Sequence, residues 1–273
     1  MGLMRYNSWG TPQWCPLKCL SRQDGKLSRS ILRREWGRKA PDLPGHYKMI
    51  RKYLGILGLI LSSSAIAGES MCYGTTSNGR LENGVQLPSE GINYVSYSKT
   101  AEIVGRTYVH SKVKEIMLAS YQRLETEAPG KVFKYAETGF KEGGQFKPHK
   151  THRNGLSVDF MVPVINENGK SVHLPTHYFN KLGYSIEFDS VGKYDGLEID
   201  YEALAAHLVS LHKVAIEKGV NLWRVIFDPN LQPYLMRTKY GEYLKKNIQF
   251  SKKRSWVRHD EHYHVDFEVP CQK

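Results

Sequence analysis

Ten residues near the C-terminus, Arg258 to Phe267 (RHDEHYHVDF), hold three histidines and three carboxylates. Imidazoles and carboxylates are the side chains that move protons and bind divalent metals. Read with strand periodicity, side chains two apart point the same way, so His262 and His264 share one face while Tyr263 and Val265 take the other. In a chain with eleven histidines an H-x-H pair can arise by chance, and its partners decide whether it does chemistry. Candidates lie upstream in HKTHRNGLSVD, which contains His149, His152 and Asp159. His152 sits at the end of a loop, Asp159 follows seven residues later on a strand, and a turn at Gly155 can fold one back toward the other. A catalytic zinc takes three protein ligands of these types and leaves a fourth position for water. The pairing of H-x6-D upstream with H-x-H downstream is far more specific than either half.

These residues must be carried by regular elements. HSKVKEIMLASYQRLETEA places Val113, Ile116, Met117, Tyr121 and Leu124 on one helical face, closed by Pro129 and Gly130. KVFKYAET alternates as a strand, and GFKEGGQFKPHKTHRNG is a loop because its glycines and Pro148 exclude regular structure. A strand is expected from Leu156 to Val164. DYEALAAHLVSLHKVAIEKG is a helix with its N-cap at Asp200, an apolar stripe at Leu204, Leu208, Leu211 and Ala215, and a stop at Gly219. The strand LWRVIFDP, a third helical pattern around PYLMRTKYGEYLKKNI and the terminal strand HYHVDFEV complete the order. Helices and strands that do not alternate regularly imply an α+β fold, a small antiparallel β-sheet flanked by helices, with the zinc site on the sheet. From Cys72 to about Ser98 the chain is rich in Gly, Asn and Ser and is expected to be irregular.

Not all of the 273 residues belong to that domain. MIRKYLGILGLILSSSAIAGES, from Met49, has the parts of a secretory signal: Arg51 and Lys52, an apolar run from Tyr53 to Leu61, and Ala65-Ile66-Ala67 as a cleavage site. The apolar run is about half the ~20 residues that a membrane span requires. The expected division is therefore a spurious or disordered leader at 1–48, a signal peptide at 49–67, and a single domain at 68–273. The formal charge is +12, but residues 1–48 carry ten Lys or Arg against three Asp or Glu, and the signal adds two cations, which leaves +3 on 68–273. A nucleic-acid or lipid-surface function loses its main support. Cys72 and Cys271 are the two cysteines left after the leader. In an exported domain they are expected to bridge, worth about 4–5 kcal/mol in the chain-entropy model.

The motifs resemble those of zinc peptidases of the lysostaphin and D-alanyl-D-alanine carboxypeptidase type, and most of all the penicillin-insensitive murein endopeptidases. In that family GG-F precedes H-x2-H-x2-G-x3-D, here GGQFKPHKTHRNGLSVD, and the close is H-x2-H-x-H, here His259, His262 and His264. The likeness extends to SNG and LP early in the domain and to IFDP, and covers most of residues 72–271. It implies that His152, Asp159 and His264 bind Zn2+, with His149 beside it as a further ligand or a supporting group. The family's Asp-Gly-x-His segment, tied to a second metal, finds its nearest match in Asp195-Gly196-Leu197-Glu198, where Glu replaces His, so one zinc is expected. The resemblance implies a periplasmic hydrolase whose substrate is peptidoglycan, cut between D-alanine and the diamino acid of a neighbouring stem.

Within such a site His262, on the face of His264 without being a ligand, is the expected general base. His259 is the expected donor to the oxyanion or the leaving amine. Tyr178, Tyr184 and Trp256 are candidates for the groove wall, or for plain core and surface positions. Two other functions fit the same residues: a D,D-carboxypeptidase or other peptidoglycan hydrolase, and a secreted, non-catalytic binding module stabilised by a structural zinc with His149 as fourth ligand.

Overall fold

A computed structural model describes residues 3–6, 12–15, 68–253, 255 and 257–273. The chain divides into two units, residues 1–65 and 66–273. In the first, Leu3–Tyr6 and Pro12–Cys15 pair as an antiparallel ribbon. No regular element was expected there, because strands of four residues are too short to register as alternation. The rest of the leader, and the whole signal segment 49–67, lie outside the described residues. Among the described residues no helix is long and apolar enough to cross a membrane.

The second unit is organised by a five-stranded sheet. Its strands are β1 (Tyr94–Ser96), β2 (Phe133–Tyr135), β3 (Ser157–Met161), β4 (Asn221–Ile226) and β5 (His262–Glu268). Their order across the sheet is β4-β5-β3-β2-β1. Every neighbouring pair is antiparallel except β1 and β2, which run parallel. The expected all-antiparallel sheet is corrected at that edge, because the helix between these two strands carries the chain back to the same end. That helix, α1 (Ser111–Glu127), and α2 (Tyr201–Glu217) provide the apolar layer. Both match their expected spans because their signals are local. Asp200 caps α2 by accepting from Ala203 N at 2.9 Å, and Gly219 leaves it in the left-handed conformation at φ +71°.

The central pair, β3 and β5, separates chemistry from packing by simple alternation. Val158 and Phe160 on one strand and Tyr263, Val265 and Phe267 on the other are all buried in the core. Burial of each such side chain contributes about 1.5–3 kcal/mol. From α2, the His207 ring packs between Phe160 at 4.8 Å and Tyr121 at 5.1 Å, and its Nδ1 bonds the Tyr263 hydroxyl. The opposite face carries Ser157 and Asp159 on β3 and His262, His264 and Asp266 on β5. The register sets His264 directly opposite Asp159, and Asp266 opposite Ser157.

Two expected elements end early, each for a visible reason. The strand from Leu156 stops at Met161, because Pro163 has no N–H for the ladder. Val164–Asn166 then joins a separate four-stranded sheet with Ser171–Val172, Leu197–Ile199 and Lys193–Tyr194. The third helical pattern splits into Gln232–Leu235 and Gly241–Asn247. The Thr238 hydroxyl donates to the Leu235 carbonyl at 2.7 Å, a local bond that competes with helix continuation. Between residues 72 and 98 the chain is less irregular than its composition suggests, since Met71–Thr75 and Asn78–Glu82 form a hairpin. The disulfide between Cys72 and Cys271 is present and ties that hairpin to the segment after β5.

Candidate metal centre

Asp159 is the hub of the polar face. Only 1% exposed, it presents Oδ1 at 2.8 Å from His264 Nδ1 and 3.3 Å from His152 Nε2. Its Oδ2 accepts from the Tyr184 hydroxyl at 3.0 Å, with His149 Nδ1 at 3.8 Å and His262 Nε2 at 3.9 Å. Burial alone would raise this carboxyl. The charges and hydrogen bonds of the surrounding imidazoles outweigh it and hold the carboxyl well below its usual range.

His152 reaches Asp159 from the loop, as the expected Gly155 turn requires. Gly155 has φ +76°, and a side chain there would collide with the His110 backbone nitrogen and with Leu81. His152 itself adopts φ +67°, a left-handed conformation that non-glycine residues hold only where the surroundings impose it. Its Nδ1 lies 3.0 Å from the Thr138 carbonyl, so Nδ1–H donates there and in the neutral ring Nε2 is the atom with the lone pair. Among the described residues that fully buried Nε2 has no hydrogen-bond partner, although it faces a carboxylate oxygen at 3.3 Å. Two acceptors aimed at each other inside a protein repel, and a cation between them removes the conflict. Donor atoms of a tetrahedral zinc site with bonds of 2.0–2.1 Å lie roughly 3.3 Å apart, which is the His152–Asp159 separation observed.

The remaining histidines surround this pair. One donor atom each from His149, His152 and Asp159 lie within 4.8 Å of one another, a group able to hold a metal ion. Burial pushes the His149 imidazole down to about 3, so the ring is a neutral donor. Glu137 Oε2 lies 4.0 Å behind His149 Nε2, and that carboxylate is fixed by Arg106 Nε at 2.9 Å and by the Tyr97 hydroxyl. His264 is flanked on both nitrogens, with Nε2 at 2.9 Å from Asp266 Oδ1. Burial disfavours its charge, but Asp266 and Asp159 overcome that and carry the imidazole up to about 10. Asp266 is in turn held by Ser157 Oγ at 2.6 Å and Arg224 Nε at 3.0 Å. A carboxylate behind a ligating imidazole fixes its orientation and raises its basicity.

His262 pairs through Nδ1 with Glu261 Oε1 at 2.8 Å. Burial lowers its proton affinity, yet Glu261 and Asp159 reverse the sign, so the imidazole is raised overall. The ring of His259 lies 4.5 Å from that of His262. Burial, with His262 adding to it, drives His259 down to about 3. Its Nδ1–H donates to the Val257 carbonyl at 3.1 Å, which leaves Nε2 as an acceptor in the neutral ring.

The six expected site residues thus converge, and four further carboxylate or phenol groups support them. Asp266 and Glu261 stand in the Arg258–Phe267 decapeptide, and Asp266 follows from the same two-residue period that joins His262 to His264. Glu137 carries no such signal, and Tyr184, expected as a candidate for the groove wall, lines the cavity and also bonds Asp159, which its sequence position did not indicate. Tyr184, His149, His259, His262, His264 and Asp159 line one cavity of about 680 Å³, whose rim includes Lys181 and Glu187. Tyr178 is 86% exposed and does not line it, and Trp256 lies outside the described residues. Asp195 and Glu198 line a different cavity with Glu167 and Asp189. There Glu198 pairs with Lys193 at 3.7 Å, so the segment compared with the second metal's motif is not brought to the histidine cluster.

Fold and site together define an α+β domain with a His/Asp group suited to a metal at the floor of an open cavity. The sequence model of the penicillin-insensitive murein endopeptidase family matches residues 72–273. The chain belongs to that family, and with it to the peptidases. No curated protein matches the chain.

Proposed function

We propose that this protein is a zinc-dependent murein endopeptidase, exported to the periplasm, that hydrolyses the D-alanyl to diaminopimelyl cross-links of peptidoglycan. The observation that carries this reading is the buried, unpartnered Nε2 of His152 facing the same Asp159 oxygen that His264 approaches from across the strand pair. Imidazole with a single carboxylate is a donor set that suits zinc. His152, Asp159 and His264 would hold the ion, with His149 next to them. When bound, zinc polarises a carbonyl oxygen and makes water acidic enough to ionise near neutral pH.

The protein's own groups account for the proton movements. His262 presents Nε2 to the cavity because Nδ1–H is committed to Glu261, and it takes the proton from the attacking water as that oxygen bonds to the scissile carbonyl carbon. Glu261 compensates the charge that develops on the ring. His262 returns that proton to the amine as the carbon–nitrogen bond breaks, while His259, whose imidazole burial drives down to about 3, stays neutral beside it and offers Nε2 as an acceptor to the substrate. Tyr184 donates to the second oxygen of Asp159 and so helps to fix the orientation of that carboxylate.

Digestion of purified sacculi tests the reading. The expected result is conversion of cross-linked dimeric muropeptides to monomers, abolished by a chelator without loss of the folded state and restored by zinc. His262→Ala is expected to bind zinc and to fold with a lowered melting temperature, because it leaves the buried Glu261 without its partner, yet not to turn over even where it is fully folded. Release of terminal D-alanine with dimers left intact would instead establish a carboxypeptidase. Unfolding on chelation, with no hydrolysis before it, would establish a structural zinc in a binding module.

A further inference from the structure

The cations around the cavity are not equivalent. Arg224 is committed to Asp266, and Arg258 reaches Glu187 at 2.8 Å and Asp260 at 2.9 Å. Lys181 also lines the cavity, but among the described residues its ammonium has neither an ion pair nor a hydrogen bond. Its backbone is fixed nonetheless. Lys181 and Leu182 are consecutive non-glycine residues at φ +51° and +58°, a pair that persists only where the surroundings hold it.

Those surroundings are visible. Asn180 Oδ1 accepts from the His177 and Gly183 nitrogens, both at 2.9 Å, while Asn180 Nδ2 donates to the Pro175 carbonyl at 2.8 Å. Leu182 packs on the core, and Tyr184, three residues past Lys181, bonds Asp159 itself. The backbone that carries Lys181 is therefore held by the turn around Asn180 and lies three residues from the Tyr184 that bonds Asp159, while the charge of Lys181 is left for something that enters the cavity.

We propose that Lys181 is a specificity-determining residue that receives a free carboxylate on the carbon next to the scissile nitrogen. The proposal rests on the endopeptidase reading above and names a feature of its substrate. In a D-alanyl to diaminopimelyl cross-link, the amine side of the bond belongs to a carbon that bears its own carboxylate. An ammonium forms an ion pair with that carboxylate, whereas the amide offers only a neutral carbonyl acceptor. An unpaired cation at the wall of a cavity matches a substrate that brings the anion with it.

The test is a cycle between protein and substrate. Hydrolysis of a soluble cross-linked muropeptide dimer and of the same dimer amidated at that carboxylate is measured for the wild type, Lys181→Met and Lys181→Arg. The wild type is expected to favour the free carboxylate about tenfold in kcat/KM, equivalent to about 1.4 kcal/mol. Lys181→Met is expected to treat the two dimers alike, and Lys181→Arg to keep most of the preference. Melting curves of the variants are expected to overlay the wild type, because among the described residues the ammonium makes no ion pair or hydrogen bond. If Lys181→Met keeps the wild-type preference, or the wild type has none, the assignment of Lys181 is overturned while the endopeptidase stands. If the wild type cleaves neither dimer, the endopeptidase reading falls and the proposal with it.

Discussion

Asp266 offers the sharpest test of how the site is built. It is fully buried and uses both carboxylate oxygens, Oδ1 toward Ser157 and His264 and Oδ2 toward Arg224. Asp266→Asn keeps the shape but turns one oxygen into a donor, which cannot face either set of donors without conflict. Arg224 is 31% exposed at its side chain and can turn to water, so the amide nitrogen settles on that side and His264 keeps a neutral hydrogen bond in place of a charge-assisted one. Loss of such support behind a metal ligand lowers affinity 10–100-fold, about 1.4–2.7 kcal/mol. A second effect runs the other way. In the metal-free protein His264 is held protonated up to about 10, and zinc must displace that proton, so wild-type affinity rises about tenfold per pH unit through neutrality. The variant's His264 releases its proton at lower pH, so its affinity climbs less and levels off earlier. Competition titrations against a chromophoric chelator across pH measure both the offset and the slope. A variant with the wild-type affinity and the wild-type slope would refute the role of Asp266 in orienting and charging His264.

The same proton predicts the pH dependence of the metal-free fold. His264 has its folded value raised, so its contribution to stability is fully present below the ordinary imidazole range and is lost as pH rises through about 10; chemical denaturation of chelator-treated protein should weaken on the alkaline side, and zinc should flatten that decline. Asp200→Ala removes both the cap on Ala203 N and the partner of Lys131 Nζ at 2.6 Å; a loss of about 1–2 kcal/mol is expected in urea melts, the upper part of the range for a cap. Breaking the bridge between Cys72 and Cys271, 199 residues apart, is expected to cost about 5 kcal/mol by the loop-entropy relation. Paired Cys→Ser variants compared with the oxidised protein by denaturation would check it, and an unchanged midpoint would contradict that estimate.

What could be read from the chain divides by the range of the interaction that carries it. The ends of α2 were legible because Asp200, the apolar stripe and Gly219 all act within a turn of one another. The split of the third helical pattern was not, since it depends on which carbonyl the Thr238 hydroxyl chooses. The parallel edge was likewise hidden, because nothing in the sequence around Tyr94 names Phe133 as its neighbour. The site shows the same division. His262, His264 and Asp266 lie on one face by period alone, and Asp159 and His152 follow from spacing across a turn. The charge each carries comes from partners far along the chain. Arg106 and Tyr97, 31 and 40 residues from Glu137, fix the carboxylate behind His149, and Arg224 sits 42 residues from the Asp266 it pairs with. A reading by motif therefore finds the donor atoms but omits the groups that set their protonation. Asp266 is the instructive exception, because the alternation that joined His262 to His264 places it one step further on the same face. A carboxylate two residues beyond an imidazole on a buried strand can bond that imidazole directly, as Asp266 bonds His264, and together with Asp159 it favours the charged ring in the metal-free protein.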